Sequence, residues 1–244
     1  MPASEILKRL RAVGTPDKAR VLSGFFKTGK GQYGEGDLFL GVVVPEQRKI
    51  AREFRSLPLP EVEKLLANSY HEVRLTGLLI LTYAFERADE RRRKELYDFL
   101  IGHRAAMNNW DLVDGIAPKI IGEYLRSRKS GRKLLRRFAK SDNLWERRIA
   151  IISTCAFIRE HDFDDTLSIC EMLLEDKHDL IHKASGWMLR EVGKRDENKL
   201  RCFLNTHFAR MPRTMLRYAI ERLPEGKMKR NSLASFSTEF VSGH

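Results

Sequence analysis

The sequence predicts an all-α fold, because helical periodicity runs along the whole chain while strand patterns are missing from it. Apolar residues recur at the spacing of one helix face, and no segment alternates apolar and polar residues between hairpin turns. Residues typical of helix starts precede the apolar runs, namely Thr15-Pro16-Asp17, Val44-Pro45-Glu46, Ser141-Asp142 and Asp162. The connections between the runs are short.

Five segments with related patterns begin at regular distances and predict an α-solenoid of antiparallel helix pairs. They begin at His71, Asn109, Leu144, Asp179 and Pro212, so successive starts lie 38, 35, 35 and 33 residues apart. One helix pair per interval is typical of stacked α-hairpins, which bury their apolar stripes only against neighbouring hairpins. An early basic residue in the apolar-rich second helices favours HEAT-like repeats over related helical arrays.

We expect a single HEAT-like domain over residues 1–228. A Gly-rich loop interrupts it at residues 28–37, "TGKGQYGEGD", where the glycines disfavour a helix. Residues 229–244 are expected to form a poorly ordered C-terminal tail.

The charge balance predicts a polyanionic partner. Among 244 residues, 45 Lys and Arg stand against 33 Asp and Glu, a formal net charge of +12. Nucleic acid is the first candidate for such a surplus and an anionic membrane the second, with a merely soluble basic surface as the alternative.

The remaining composition predicts a cytoplasmic protein. The longest apolar stretches fall short of the about 18 residues that a membrane span needs, and the N-terminal segment lacks the apolar core of a secretory signal. Three cysteines are too few, and odd in number, for a disulfide framework. We expect a monomer with no obligatory protein partner.

A row of basic residues is predicted from the repeat alignment. Arg74, Arg148, Lys183 and Arg217 fall at matching positions of their helices, and matching positions of a solenoid line one face. On a concave face these side chains would suit a DNA duplex. The alternative, equally open, is that they fill a solvated groove or pair with acids between repeats.

Two short motifs are rejected as sites. "GFFKTGKG" at residues 24–31 has the spacing of a phosphate-binding loop, but Gly31 replaces the hydroxyl residue and a helix precedes it instead of a strand. His178 and His182 lie four residues apart as in zinc-protease helices, but Asp179 replaces the glutamate and no third ligand is near in sequence. We therefore predict no metal and no cofactor, and we expect the histidines to cap or pack.

Four residues on three successive repeats combine types suited to DNA chemistry. Trp110 and Asp114 lie one helical turn apart, Arg148 lies on the next repeat, and Trp187 follows small Ser185 and Gly186, which would leave room beside its indole. Each residue also has an ordinary structural interpretation, since tryptophans usually belong to the core and charged residues often form ion pairs.

Long blocks of the sequence resemble the DNA alkylation repair family of HEAT-like glycosylases. The most specific blocks are "NWDLVDGIAPKIIGEYL", "WERRIAIISTCAFIRE" and "KHDLIHKASGWMLREVGKRD". The resemblance implies that Trp110, Asp114, Arg148 and Trp187 occupy the family's functional positions. It also implies excision of positively charged N3- and N7-alkylated purines from duplex DNA, without extrusion of the base. The Gly-rich loop departs from the more direct connection of some members.

These residue types match that chemistry. Asp114 would stabilise the oxocarbenium-like sugar and orient water, while Trp110 and Trp187 would pack on the lesion nucleotide by contacts that include cation–π attraction. DNA-binding candidates are Arg148, Lys183, Arg217, Arg74, Lys27 and Lys30. Two other functions stay open at this point: a HEAT-like protein that binds damaged or distorted DNA without cleavage, and a protein–protein adaptor, against which the net charge of +12 argues.

Overall fold

The structure, a computed structural model, describes residues 2–223 of the chain and divides into two compact units, Met1–Tyr124 and Leu125–His244. The predicted C-terminal tail at residues 229–244 lies outside the described residues, as do residues 224–228. A single domain over residues 1–228 therefore stays a prediction. No helix within residues 2–223 combines the length and apolar character that crossing a membrane would require.

The first unit is built from helices that surround one buried helix. Its helices are α1 (Ala3–Val13), α2 (Pro16–Phe25), α3 (Val44–Glu53), α4 (Leu59–Leu66), α5 (His71–Glu86), α6 (Glu90–Gly102), α7 (Trp110–Ile116) and α8 (Glu123–Arg126), the last of which crosses the boundary between the units. Helices α1, α3, α4, α6 and α7 all contact α5. Since neighbours cover α5 on several sides, it is apolar over most of its surface and not on one stripe alone.

The second unit continues the succession of helices. Its helices are α9 (Lys133–Ala139), α10 (Leu144–Ser153), α11 (Cys155–Arg159), α12 (Asp164–Met172), α13 (Asp179–Gly193), α14 (Glu197–His207) and α15 (Arg213–Ile220). Helix α10 packs on α9 and α13, and α13 packs on α14 and α15. The side chains of Asn143, His178 and Asp196 accept hydrogen bonds from the first amides of α10, α13 and α14, which lack partners inside the helix.

The predicted all-α fold and its repeated helix pairs are confirmed. The five repeat segments begin in helices at His71, Trp110, Leu144, Asp179 and Arg213, within one residue of the predicted starts. The residues at two N-cap positions differ from the expected ones: the Asn143 side chain caps α10, and Phe163 stands at the N-cap position of α12 without a side-chain cap hydrogen bond. The predicted concave basic face stays a prediction.

A π-helical turn interrupts the helix that the sequence predicts after Asn109. Residues Pro118–Gly122 form this turn between α7 and α8, with the Gly122 amide donating to the Ala117 carbonyl at 2.9 Å. Proline has no amide hydrogen to donate to the carbonyl four residues earlier, so an α-helical ladder is broken at Pro118. Such turns are frequent at functional sites, and this one directly follows the helix that carries Asp114.

The predicted Gly-rich loop is non-helical and is fixed at its C-terminal end. Leu38 forms an isolated parallel bridge with Tyr70, in which the His71 amide donates to the Leu38 carbonyl at 2.8 Å. The buried Glu72 carboxylate accepts hydrogen bonds from the amides of Leu40, Gly41 and Val42. Gly41 has φ of 81°, a backbone conformation that residues other than glycine rarely adopt. The hydrogen bonds to Glu72 therefore depend on a glycine at this position.

Helix α13 approaches α15 most closely at Gly186. A methyl group at this position would lie 2.4 Å from the Met215 carbonyl oxygen and 2.6 Å from Cβ of Tyr218. The backbone contact leaves no room for an added carbon, so Gly186 is needed for packing between these two helices.

Replacing Gly186 by alanine is expected to destabilise the protein. Gly186→Ala should lower the free energy of unfolding by about 1–3 kcal/mol, the usual cost of overpacking, in urea denaturation. Gly24→Ala is the control, because Gly24 in α2 has open space around it. That variant should be as stable as the parent or more stable by up to about 1 kcal/mol. Equal stability of both variants would contradict the packing argument.

Candidate nucleic-acid interface

Trp110 belongs to an aromatic cluster in the first unit. It is the first residue of α7, and the Asn109 side chain accepts a hydrogen bond from its amide at 2.8 Å. Its indole stacks on Phe26 at 5.4 Å and meets the edge of Phe25 at 5.8 Å. Phe26 in turn stacks on Phe39 at 5.3 Å. The cluster gives the half-buried indole a fixed orientation, which a surface tryptophan on a single helix would lack.

Phe25 is the exposed member of this cluster. Its side chain is 59% exposed at the end of α2, whereas neighbouring Phe26 is 8% exposed. An exposed aromatic ring beside a tryptophan offers a surface on which a base or sugar can stack.

Asp114 lies one turn beyond Trp110 on α7 and is half-buried. The four-residue spacing places both side chains on the same face of the helix. The structure therefore brings these two predicted site residues together.

Lys27 and Lys30 are exposed on the Gly-rich loop that follows α2. Lys27 has φ of 56°, in the left-handed region, and its carbonyl accepts a hydrogen bond from the Gly34 amide at 3.0 Å. A left-handed conformation in a non-glycine residue costs free energy and marks a segment whose course is fixed by its surroundings. The loop thus presents its two lysines from a defined backbone.

A buried polar network connects the Gly-rich loop with α5 and α7. His71 donates or accepts at both ring nitrogens, with Nδ1 3.1 Å from Asp37 Oδ2 and Nε2 2.9 Å from Asp111 Oδ2. The Arg74 guanidinium donates to Asp37 Oδ1 at 2.7 Å and to Asn108 Oδ1 at 2.9 Å. Three segments distant in sequence therefore meet at one set of charged side chains.

The network shifts the pKa of two of its members. Burial by itself raises the pKa of Asp37, but the hydrogen bond from His71, the charge of Arg74 and the hydrogen bond from Asn108 together lower it below its usual value. Burial lowers the pKa of His71, but the hydrogen bonds to Asp111 and Asp37 outweigh burial and raise it.

Trp187 lies in the second unit, on α13, and is half-buried. Its indole hydrogen-bonds Glu191, one turn further along the helix, which orients the ring. Burial raises the pKa of Glu191, but hydrogen bonds from Lys194, Arg195 and Trp187 and the charge of Lys194 bring it below its usual value. The space at Gly186 itself is filled by Met215 and Tyr218 of α15, whereas room beside the indole stays a prediction.

The comparison with known proteins gives a family match along most of the chain. A family model described as "DNA alkylation repair enzyme" matches residues 6–223. The chain belongs to the DNA alkylation repair family. The solved structure of a "Predicted DNA alkylation repair enzyme from Enterococcus faecalis" is similar, with a TM-score of 0.69, 17% identity and coverage of 87% of this chain and 97% of that one. Among curated proteins, none matches.

Family membership confirms the resemblance that the sequence blocks predicted and gives the protein a role in the repair of alkylated DNA. DNA is accordingly its binding partner. At 17% identity the Enterococcus faecalis structure supports the fold alone.

The four basic residues predicted to form one row in this DNA alkylation repair protein have different surroundings. Arg217 is exposed, with its guanidinium 5.8 Å from the ring of Tyr218. Lys183 is half-buried and pairs with Asp179 at 2.6 Å, a hydrogen bond that lowers the pKa of that carboxyl. Among the contacts that the structure describes, no acid holds the Arg217 guanidinium, whereas Asp179 holds the Lys183 ammonium group.

Arg74 and Arg148 are buried at 5% exposure each. Arg148 Nη1 donates to the Leu180 carbonyl at 2.5 Å, which joins α10 to the start of α13. Arg74 is held by Asp37, Asn108 and the carbonyls of Asn68 and Ser69. Because Arg74 pairs with Asp37, its surroundings fit the alternative to a DNA-binding row, in which the basic residue pairs with an acid of the protein itself. Its contact with DNA stays a prediction that this geometry does not favour.

The two histidines of the rejected metal motif have local partners. His178 Nδ1 accepts from the Leu180 amide at 3.1 Å and caps α13, while His182 Nε2 lies 2.5 Å from the Asp176 carbonyl oxygen. The expected capping role of His178 is confirmed. Within residues 2–223 no three His, Cys, Asp or Glu side chains are grouped as metal ligands would be.

Sequence reasoning missed Phe25, Phe26 and the His71 network. The pair of adjacent aromatic residues before a basic residue at the end of α2 was a usable signal for Phe25. The partners of His71 come from positions 34 residues before and 40 residues after it, so no local pattern connects them.

The buried position of Arg74 leads to a stability prediction. Arg74→Met should lower the free energy of unfolding by about 3–5 kcal/mol, because it leaves the Asp37 carboxylate buried with one cation fewer. Lys30→Ala is the control and should change it by less than about 0.5 kcal/mol, since Lys30 is exposed. Urea titrations measure both values. An Arg74→Met protein as stable as Lys30→Ala would show that the network contributes little.

Proposed function

We propose that the protein is a monofunctional DNA glycosylase that hydrolyses the N-glycosidic bond of positively charged N3- and N7-alkylated purines in duplex DNA. The observation that carries this proposal is Asp114 on the same helix face as Trp110, whose indole is oriented by Phe25 and Phe26, in a chain of the DNA alkylation repair family. A carboxylate and an oriented aromatic ring are the two groups that hydrolysis of this N-glycosidic bond needs.

The substrate's own charge explains how few groups are required. An N3- or N7-alkylated purine is cationic, so it leaves with the electron pair of the C1′–N bond as a neutral base without protonation. The sugar becomes oxocarbenium-like, and the Asp114 carboxylate stabilises this developing positive charge. Water, oriented by Asp114, then adds to C1′ and releases a proton. The reaction is a hydrolysis in which no cofactor takes part.

Aromatic contacts supply selectivity for the charged base in this proposal. Trp110, together with exposed Phe25, would pack against the lesion nucleotide, and Trp187 remains a candidate for the same role. Cation–π attraction of about 0.5–2 kcal/mol favours the alkylated base over its neutral parent. Neutral lesions such as uracil lack this attraction and would leave as anions without protonation, so they should not be released.

Basic residues would bind the phosphate backbone. Exposed Lys27, Lys30 and Arg217 are the candidates whose surroundings support contact with phosphate, while half-buried Lys183 would have to exchange its pairing with Asp179 for a phosphate. The net charge of +12 supports binding to DNA over an adaptor role. Arg148 at the backbone next to the lesion remains part of the proposal. Action as a monomer in the cytoplasm is also proposed, and the free thiols of Cys155, Cys170 and Cys202 fit a reducing compartment.

The catalytic assignment predicts the effect of one isosteric substitution. Asp114→Asn should slow release of N7-methylguanine from a duplex by about 100-fold or more, because the neutral amide no longer stabilises the oxocarbenium-like sugar. Binding to the same duplex should be unchanged or tighter, since a charge that repels phosphate is removed. Single-turnover base release and equilibrium binding measure the two effects.

The matched control for this variant is Asp142→Asn, at an exposed aspartate before α10, which should release the base at the parent rate. Release by Asp114→Asn at the parent rate would overturn the role of Asp114. Tight, salt-sensitive binding without release by either protein would instead favour the non-catalytic DNA-binding function.

The loop lysines predict a change in the salt dependence of binding. The double variant Lys27→Ala, Lys30→Ala should lower the slope of log K against log salt concentration by about 1.8, or about 0.9 for each phosphate that is no longer neutralised. The change should be equal for damaged and undamaged duplexes, because phosphates carry no lesion information. Fluorescence anisotropy at several salt concentrations measures it.

The control for the lysine pair removes two other lysines of the same unit. Lys64 and Lys94 are exposed and paired with Glu61 and Asp98 at 2.5 Å each, so their replacement by alanine should leave the slope unchanged. An equal slope for both double variants would mean that the Gly-rich loop does not contact DNA.

A further inference from the structure

His71 joins the Gly-rich loop, α5 and α7 through charged groups. Its side chain is 2% exposed and bridges Asp37 at the end of the loop and Asp111 in the first turn of α7. Asp111 directly follows Trp110, and Asp37 directly precedes the Leu38–Tyr70 bridge. The catalytic chemistry proposed above uses none of these three side chains.

We propose that His71 is a positioning residue, which as an imidazolium ion locks the Gly-rich loop to the start of α7 and thereby sets the position of Trp110. The structural lock is independent of the reaction, whereas its consequence for the lesion rests on the proposed glycosylase function.

The two hydrogen bonds of His71, to Asp37 and to Asp111, require a protonated imidazole ring. A carboxylate only accepts, and a neutral imidazole has a single N–H to donate, so one of the two contacts would set a nitrogen lone pair against a carboxylate oxygen. With the proton present, both nitrogens donate, at 3.1 Å to Asp37 and 2.9 Å to Asp111.

The charge balance of the buried cluster leads to the same protonation state. Asp37 and Asp111 carry two negative charges, and Arg74 supplies one positive charge through its 2.7 Å contact with Asp37. Only a protonated His71 makes the sum zero, and an uncompensated buried charge is costly. The rings of Phe26 and Phe39 lie 4.8 Å from the imidazole, and their faces also favour a cation.

Two contacts transmit the state of His71 to Trp110. The first runs through the chain, because Asp111 fixes the first turn of α7, where Trp110 is the first residue. The second runs through Phe26, whose ring contacts His71 at 4.8 Å and Trp110 at 5.4 Å. Loss of the proton would release one carboxylate and change the support of the indole by both routes.

The proposal implies a direction for pH dependence. The pKa of His71 is raised, since the hydrogen bonds to Asp111 and Asp37 outweigh burial and the repulsion from Arg74. The bridge is therefore complete below the ordinary histidine pKa of about 6.5 and is lost as pH rises through the raised value. Asp37, whose pKa is lowered, stays charged over this range.

The test follows the environment of Trp110 directly, without any measurement of base release. In a background of Trp145→Phe and Trp187→Phe, Trp110 is the sole tryptophan, and its emission is recorded between pH 6 and pH 9.5 (about the range before tyrosine ionisation). The variant Asp111→Asn keeps the size of the side chain but removes its charge. Its emission should change at a midpoint about 1–3 pH units below that of the parent background, because one carboxylate no longer favours the imidazolium.

Two further variants complete the test. His103→Gln is the matched control, since His103 in the same unit contacts Glu63 at 3.1 Å but no member of the cluster, and it should leave the titration unchanged. His71→Gln should abolish the transition. If His71→Gln does not fold, Asp111→Asn and Asp37→Asn decide the outcome by their midpoints.

The outcomes separate this inference from the proposed function. Equal midpoints in the parent and in Asp111→Asn, or a transition that persists in His71→Gln, would overturn the role of His71 whatever the enzymatic activity. A shifted midpoint together with no base release by the unsubstituted protein, which keeps Trp187, would support the lock and reject the glycosylase. With both intact, base release should fall over the same pH interval as the emission changes, and over a lower interval in Asp111→Asn.

Discussion

The contact between Asp37 and the pair His71 and Arg74 is the interaction on which the arrangement of the first unit depends. It fixes the end of a Gly-rich loop to the helix that its neighbours cover on several sides. Glu72 extends the attachment by accepting hydrogen bonds from the backbone amides of the next segment, Leu40, Gly41 and Val42. A glycine-rich segment loses much conformational freedom on folding, so its course has to be set by such contacts with the rest of the protein.

The same helix therefore serves packing and positioning at once. Apolar residues of α5 form the core, while His71, Glu72 and Arg74 in its first turn hold segments that follow and precede it in the chain. Charged side chains are rarely buried unless they are paired, and here every one of the three has partners. The first turn of α5 is thus a connection between the core and the surface that carries Trp110.

In the second unit, neighbouring residues of α13 serve helix packing and side-chain orientation separately. Gly186 faces α15, where the two backbones approach closely, while the adjacent Trp187 is oriented by Glu191. Successive residues of a helix point about 100° apart, so packing and indole orientation can be specified independently by neighbouring positions. Arg148 joins α10 to α13 through the Leu180 carbonyl, which gives this residue a structural role beside any contact with DNA.

The sequence by itself determined the all-α class, the starts of the five repeated helices within one residue, the non-helical Gly-rich loop and the family, because periodicity, turn residues and long sequence blocks are local properties. It also placed Trp110 and Asp114 on one helix face. Only the tertiary structure decided that Phe25 is exposed beside Trp110, that Gly186 packs on α15, and that Arg74 is buried while Arg217, at the matching repeat position, is exposed. The physical reason is that burial and pairing depend on partners such as Asp37, which lies 37 residues from Arg74 in the chain and which no local pattern assigns to it.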